Sequence, residues 1–346
     1  MAGLVMCPKT LGAGVMIAPA AFCCAARRVA CGVPVVDDRP IMLVLRALNL
    51  GDLLVAVPAL RALRSSHPDH RIVLAAPEEL GPVALRTGAV DEVIHAPIPT
   101  GLRWGPTGPD VAVNLHGLTP TALGVLAATQ PRNRIGFASP GWPGPEWDNS
   151  DEVHERVRWC ALIEAYGIPV DPDDMFLDTP PQGPGPGPVL VHPGARSAAK
   201  RWPVERYAEV IAALHRAGHE VLVTGTVDER PLALDVARAA GLSLVRVLAG
   251  RTTPDELCEL VARASLVIGG DTGTAHLASA LRVPSVVLVG PLPASRWGPP
   301  AGGPHIVLGD DGPRRGDPDA LDPDPALLAV SVSDVLTAAD GLLGRG

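Results

Sequence analysis

Short apolar runs alternate along this chain with longer stretches in which apolar residues recur every three or four positions. The runs at 41–46, 71–76, 90–95, 111–115 and 134–137 predict strands, and the periodic stretches at 52–64 and 153–166 predict helices. This is the βα rhythm of a parallel sheet. The rhythm stops at residues 178–188, DTPPQGPGPGP, a Pro- and Gly-rich stretch that continues neither strand nor helix and predicts a linker. It then resumes, with strands at 189–192, 220–224 and 244–247 and helices at 204–217, closed by Gly218, and at 230–240. Thr253-Pro254-Asp255-Glu256 forms a capping box with proline at the first helical position, so a helix over 254–264 follows.

The segment Leu266 to Gly290, LVIGGDTGTAHLASALRVPSVVLVG, combines a strand, a Gly-rich turn, a helix expected over 275–281 and a further strand. Gly269 and Gly270 permit a tight turn, and Asp271 to Thr274 are expected to cap the helix. A helix start presents unpaired N–H groups and partial positive charge, which suits a diphosphate. Residues 310–325 are rich in Asp, Gly and Pro and predict an irregular tail, with a last helix over 326–343.

Five regions result. Residues 1–40 are expected to be a disordered extension or an over-long start, 41–177 a first parallel α/β domain, 178–188 a linker, 189–309 a second such domain, and 310–346 a tail with a final helix. At 346 residues the chain can hold two domains, each with its own core.

Composition narrows the functional classes. Hydrophobic residues at 47% and charged residues at 19% describe a soluble globular protein with no apolar run of transmembrane length, and the expected location is cytoplasmic. The first 41 residues carry four basic and two acidic groups, so the rest carries −10 of the net −8, which argues against nucleic acid as a partner. Four of the six cysteines fall in the first 31 residues. Only Cys160 and Cys258 lie in the expected folded body, which argues against a disulfide framework or a zinc site. Lysine occurs only at Lys9 and Lys200, so Lys200 stands out in a chain that otherwise uses arginine.

Four clusters fall where strands end and helices begin, the place where open α/β sheets bind ligands. Asp52, in Asn49-Leu50-Gly51-Asp52, is either a carboxylate facing a crevice or one that merely favours a helix N-terminus. Lys200 closes the loop 192–203, HPGARSAAKRWP, where basic side chains beside a helix start suit a diphosphate leaving group and where a solvated loop cation is the alternative. Glu229 follows the next strand, either as a carboxylate of the kind that bonds ribose hydroxyls or as one that merely favours a helix N-terminus. In the fourth cluster Asp271 could grip sugar hydroxyls, Thr272, Gly273 and Thr274 could face phosphate, and His276 is a further donor or a buried structural histidine.

These motifs, GDLLVAVPALRAL, HPGARSAAKRWPVERYAEV, VLVTGTVDER and GGDTGTAHLASALRVPSVVLVGP in that order, resemble glycosyltransferase family 9, the ADP-heptose:lipopolysaccharide heptosyltransferases. The resemblance covers Ile41 to about Pro299. It implies a GT-B fold of two Rossmann-like domains facing a cleft, with the acceptor site in the first and the donor site in the second. It also implies an inverting mechanism without a metal or other cofactor, with ADP-heptose as the leading donor. By position Asp52 matches the family's catalytic Asp and Lys200 its phosphate-binding Lys, while Glu229 matches the acidic residue at the nucleotide ribose. Asp271, Thr272, Gly273 and His276 match the donor-binding turn, Leu248 falls near the segment bordering the base, and Thr274 stands where family members often carry proline. The expected partners are thus a nucleotide-sugar donor and a glycan, lipid-linked or specialised-metabolite acceptor, with at most peripheral membrane association. A GT-B-type nucleotide-sugar epimerase and a non-catalytic nucleotide-sugar-binding protein are the alternatives; the first needs acid and base groups on both faces of the sugar.

Overall fold

A computed structural model describes residues 37–97, 101–148, 153–178 and 187–344. Contacts divide the chain into Met1–Asp38 and Arg39–Gly346, and the architecture below belongs to the second unit. The expected extension and most of the expected linker, residues 1–36 and 179–186, lie outside the described residues.

Among the described residues ten strands form two open, all-parallel sheets. The first contains β1 (Ile41–Leu45), β2 (Arg71–Ala76), β3 (Glu92–His95), β4 (Val111–Asn114) and β5 (Asn133–Ile135), in the order β3-β2-β1-β4-β5. The second contains β6 (Val189–His192), β7 (Val221–Val223), β8 (Leu266–Gly270), β9 (Ser285–Leu288) and β10 (His305–Leu308), in the order β10-β9-β8-β6-β7. The central strands are continuously apolar because helices cover both faces of each sheet, as in β1 (IMLVL), β6 (VLVH) and β9 (SVVL). In the first sheet the strand order reverses between β1 and β4, paired from Met42↔Val111 to Leu45↔Asn114. In the second it reverses between β6 and β8, paired from Val189↔Leu266 to His192↔Gly269. Crevices open beyond the strand ends at such reversal points.

Several elements differ from the sequence expectations. The helix expected over 52–64 is two helices, Leu50–Val55 and Val57–Ser66, because Pro58 starts the second and cannot donate into the first. Residues 244–247 form a single 3-10 turn, Leu244–Arg246, and an isolated bridge from Val247 to Val223 in place of a strand. The helix of the Gly-rich motif runs Gly273–Ala280, two residues earlier than expected, with Thr272 as its N-cap. The last helix is broken into Pro325–Ala329 and Val332–Leu343, the second opened by a Ser331–Asp334 capping box. Strand β10 was not foreseen.

Nor does each half keep a core to itself. Leu53, Leu60, Leu74 and Val83 of the first half belong to one buried cluster with Leu190, Val261, Val267 and Leu277 of the second. A second cluster, around Val191, Ile211, Val236 and Ile268, takes in Val335, Ala339 and Leu342 of the final helix, which therefore packs on the second sheet. Beside the shared core Arg86 reaches from the first half to Asp255 (2.5 Å) and Glu259 (3.1 Å) of helix Pro254–Ala262.

Candidate functional site

Beyond β1 the chain turns through Arg46 to Asn49 into helix Leu50–Val55, and Asp52 sits in its first turn. Asn49 donates its backbone N–H to Asp52 Oδ2 at 3.3 Å, so one carboxylate oxygen caps the helix. The other faces Arg46 Nη2 at 3.5 Å. Arg46 is buried, donates Nε to the Asp52 carbonyl (2.9 Å) and Nη1 to the Leu115 carbonyl, and lies 4.7 Å above the Trp159 ring. It thereby ties the end of β1 to the loop after β4. Burial lowers its pKa to about 10 against the opposing charges of Asp52 and Glu155, so it remains cationic at neutral pH.

That second loop carries His116. Asn114, itself buried, accepts the His116 backbone N–H (3.0 Å) and donates to the Gly117 carbonyl (2.8 Å), which fixes a turn where Gly117 has φ 128°. Burial and the neighbouring Arg46 charge hold the His116 imidazole below its ordinary pKa against the pull of Asp52, and its Nδ1 is buried with no partner among the described residues. Neither Arg46 nor His116 was singled out from sequence. Their signal was positional, since both directly follow strands at the reversal point.

On the other side, the loops after β6 and β8 meet. Lys200 Nζ lies 3.1 Å from Asp271 Oδ2, and His276 Nε2 lies 3.4 Å from Asp271 Oδ1. Burial pushes the Asp271 carboxyl up, but the His276 contact and the Lys200 charge outweigh it and hold its pKa below the ordinary aspartate value. The Thr272 hydroxyl makes no capping bond to helix Gly273–Ala280. It and the Ser197 hydroxyl, on the two loops that the Lys200–Asp271 pair joins, are buried without a partner among the described residues. Two partnerless hydroxyls, a lysine and a helix start suit an anionic ligand with several acceptor oxygens.

Thr274 differs from expectation. Its side chain is buried and its hydroxyl oxygen lies 3.1 Å from His192 Nδ1, which leaves only its backbone N–H for an anion. His192 also lies 3.0 Å from the Thr224 hydroxyl and, through Nε2, 3.7 Å from Glu229 Oε2. Burial keeps the His192 imidazole below its ordinary pKa despite the Glu229 charge. Glu229 accepts the Thr226 N–H at 2.8 Å and overlies Gly194, where an added Cβ would stand 2.3 Å from the carboxylate carbon. Gly194 is thus a requirement of close approach. Leu248 is half-buried with its amide bonded to Val223 O (2.8 Å), beside the turn that carries Glu229 rather than in the Lys200 cluster.

The two sides meet at their helix starts. A Cβ on Gly51 would stand 2.6 Å from His276 Cδ2, and one on Gly273 would stand 3.1 Å from Leu50 Cβ. The first turns of Leu50–Val55 and Gly273–Ala280 therefore pack directly, setting Asp52 on one side of the contact and Asp271 on the other. Trp297 flanks it, with its ring 6.0 Å from that of His276, and His154 bonds the Gly298 carbonyl at 3.0 Å. Toward the first half lie Glu155 and Arg158 (3.4 Å apart) and Phe137, Trp147 and Trp159, whose rings meet edge to face. Among the described residues no group of three or more His, Cys, Asp or Glu side chains is arranged to hold a metal ion.

The family model described as glycosyltransferase family 9 (heptosyltransferase) matches residues 175–315, the stretch that contains Lys200, Glu229 and the Asp271–His276 turn. This stretch is similar to glycosyltransferase family 9 and makes up less than half of the chain. The chain is 33% identical over 158 residues to lipopolysaccharide heptosyltransferase 3 of Escherichia coli, a match covering 45% of this chain and 46% of that one. The match thus spans less than half of the relative's length. Among solved structures, a glycosyltransferase family 9 protein from Veillonella parvula superposes with a TM-score of 0.71 at 19% identity, covering 89% of this chain and 98% of that one. The ADP-heptose lps heptosyltransferase II of E. coli superposes with a TM-score of 0.64 at 20% identity, covering 88% and 98%. These superpositions show a GT-B fold for this chain.

Proposed function

We propose that this protein is an inverting glycosyltransferase that moves a heptose from an ADP-linked donor to an acceptor hydroxyl, with Asp52 as general base. The observation that carries the proposal is the convergence of both reversal points. Asp52, held by Arg46, lies across one helix–helix contact from the Lys200–Asp271–His276 cluster, which has the composition of a sugar-diphosphate site. The heptosyltransferase names of the relatives support the class of reaction and the donor.

In the proposed reaction the acceptor oxygen attacks the anomeric carbon from the face opposite the diphosphate. Asp52 takes the hydroxyl proton as the new C–O bond forms. The bond from the anomeric carbon to the diphosphate oxygen breaks, and its electron pair leaves with ADP. Lys200, the N–H groups at the start of helix Gly273–Ala280 and the Thr272 hydroxyl stabilise the charge that grows on the leaving diphosphate. Asp271 and His276 hold sugar hydroxyls, and Glu229, set by His192 and the Thr226 N–H, holds the ribose, with Leu248 near the base. Because the diphosphate leaves readily, the charge stabilisers suffice without a general acid or a metal ion. The acceptor is a glycan, a lipid-linked saccharide or a specialised metabolite, met in the cytoplasm or at a membrane surface. No helix among the described residues is long and apolar enough to cross a membrane.

The test is ADP release from ADP-heptose over an acceptor panel, for the wild type and Asp52→Asn. Release in step with acceptor consumption is expected, and donor conversion without acceptor would indicate an epimerase instead. Asp52→Asn should lower kcat about 10² to 10⁴-fold with ADP affinity nearly unchanged. Loss of ADP binding with normal turnover would remove Asp52 from the role.

A further inference from the structure

The tail 310–325, expected to be irregular, forms neither strand nor helix before Pro325, but its backbone is fastened to the loop that carries Lys200. Ala199, fully buried one residue before Lys200, donates its N–H to the Ala320 carbonyl (3.2 Å) and accepts the Asp324 N–H (3.0 Å) on its own carbonyl. Asp324 is itself fully buried, and among the described residues no cation pairs with its carboxylate. Oδ2 accepts the Arg315 N–H (2.9 Å), and Oδ1 accepts the Ala326 N–H (3.0 Å), capping helix Pro325–Ala329. That helix is in turn held to the far end of the Lys200 loop and to the helix after it: Trp202 Nε1 donates to Val330 O (3.2 Å), and Arg206 Nη1, in helix Val204–Arg216, donates to Leu328 O and Val330 O (both 2.7 Å). On the opposite flank the Ala199 carbonyl faces Gly290 and the Lys200 carbonyl faces Gly270, each 3.3 Å from where a glycine Cβ would stand.

The Lys200 backbone is thus clamped between the ends of β8 and β9 on one side and the tail on the other. Burying a carboxylate without a countercharge costs free energy, which two charge-assisted N–H bonds offset here. Their common result is a fixed distance between the tail turn 315–326 and Ala199. A lysine with four rotatable bonds contributes little at a phosphate unless its backbone is fixed, because ordering it opposes binding.

We infer that Asp324 is a positioning residue for the donor site, using the C-terminal tail as a brace that holds Lys200 against the diphosphate. This rests on the reading of Lys200 as the phosphate-binding residue. Asp324→Asn isolates the brace, because asparagine caps a helix about as well as aspartate and can keep the Ala326 bond while losing the Arg315 bond.

The experiment is calorimetric titration of the full chain with ADP and with AMP, for the wild type, Asp324→Asn, Lys200→Ala and the double variant. ADP affinity should fall roughly tenfold in Asp324→Asn, the size of effect seen between coupled neighbours, while AMP affinity stays the same and the substitution has no further effect in the Lys200→Ala background. Equal losses for ADP and AMP, an unchanged ADP affinity, or additivity with Lys200→Ala would each overturn the inference. A wild type that binds no ADP, or a Lys200→Ala variant that binds ADP normally, would instead overturn the donor-site reading beneath it. Amide hydrogen exchange of the peptide containing Ala199 checks the brace without ligand: faster exchange in Asp324→Asn is expected, and unchanged protection counts against it.

Discussion

Gly51→Ala tests whether the two halves meet as closely as the structure places them. Gly51 lies in the first turn of a helix, where alanine is intrinsically better than glycine by about 1 kcal/mol. Its added Cβ would nevertheless stand 2.6 Å from His276 Cδ2 and 3.2 Å from Nε2. Ordinary carbon–carbon contact is about 3.5–4.0 Å, so the ring or the helix must move by roughly 1 Å. His276 cannot retreat freely, since its other contacts are Asp271 at 3.4 Å and the Trp297 ring at 6.0 Å. Overpacking of this kind costs about 1–3 kcal/mol, so Gly51→Ala should be destabilising by about 0–2 kcal/mol after the helix gain is subtracted. In a His276→Ala background the obstruction is gone, and the same substitution should stabilise by up to about 1 kcal/mol. Urea unfolding of the four proteins yields the coupling as the difference between the two effects, expected at about 1–3 kcal/mol. If Gly51→Ala shifts stability equally in both backgrounds, the helix starts are not in contact in solution and the site geometry described above is wrong.

Two further outcomes follow from the same geometry. His305, bonded through Nδ1 to the Ser285 hydroxyl at 2.9 Å, is pushed by burial to a pKa of about 4. Unfolded histidine takes up its proton near pH 6.5, so the unfolded state binds the proton first. Stability from this residue is full above about pH 6.5, declines as the pH falls toward 4 and then levels. His305→Gln should flatten the melting temperature across that window, and an unchanged pH profile would show that His305 is protonated alike in both states. For the proposed charge stabilisation by Lys200 and a helix start, ADP release should persist in excess EDTA; its loss on chelation, with recovery on adding back a divalent cation, would contradict the proposal.

The elements that sequence revealed are those whose signals are local. Strands such as Val189–His192 and the helix opened by Thr253 and Glu256 depend on a few adjacent residues, and their ends fall within a residue or two of expectation. The breaks at Ala56 and Ser331 were equally local, marked by Pro58 and by Ser331-x-x-Asp334, but continuous helical periodicity obscured them. Strand β10 is four half-buried residues at a sheet edge, too short and too exposed for periodicity to register. Nothing local could have shown that Arg46 would be buried, because its carbonyl partner, Leu115, is 69 residues away. The same holds for the Gly51–His276 contact, and for the Thr274 hydroxyl, which turns to His192 from 82 residues away. Grouping Lys200 with Asp271 was legible only because each lies in the loop that follows its strand, and the two strands, Val189–His192 and Leu266–Gly270, turn out to be neighbours.

The apolar cluster common to both sheets bears on how this protein could be re-engineered. GT-B proteins invite exchange of their nucleotide-binding halves to change the donor, but here a cut near residue 187 would leave Val261, Val267 and Leu277 without the Leu53, Leu60 and Val83 side chains of their cluster. A transplanted half would expose that surface and aggregate before it could be assayed. Chimaeras should therefore carry the helices Leu50–Val55 and Val57–Ser66 and residues 80–86 along with the second sheet, treating these pieces of the first half as part of the graft.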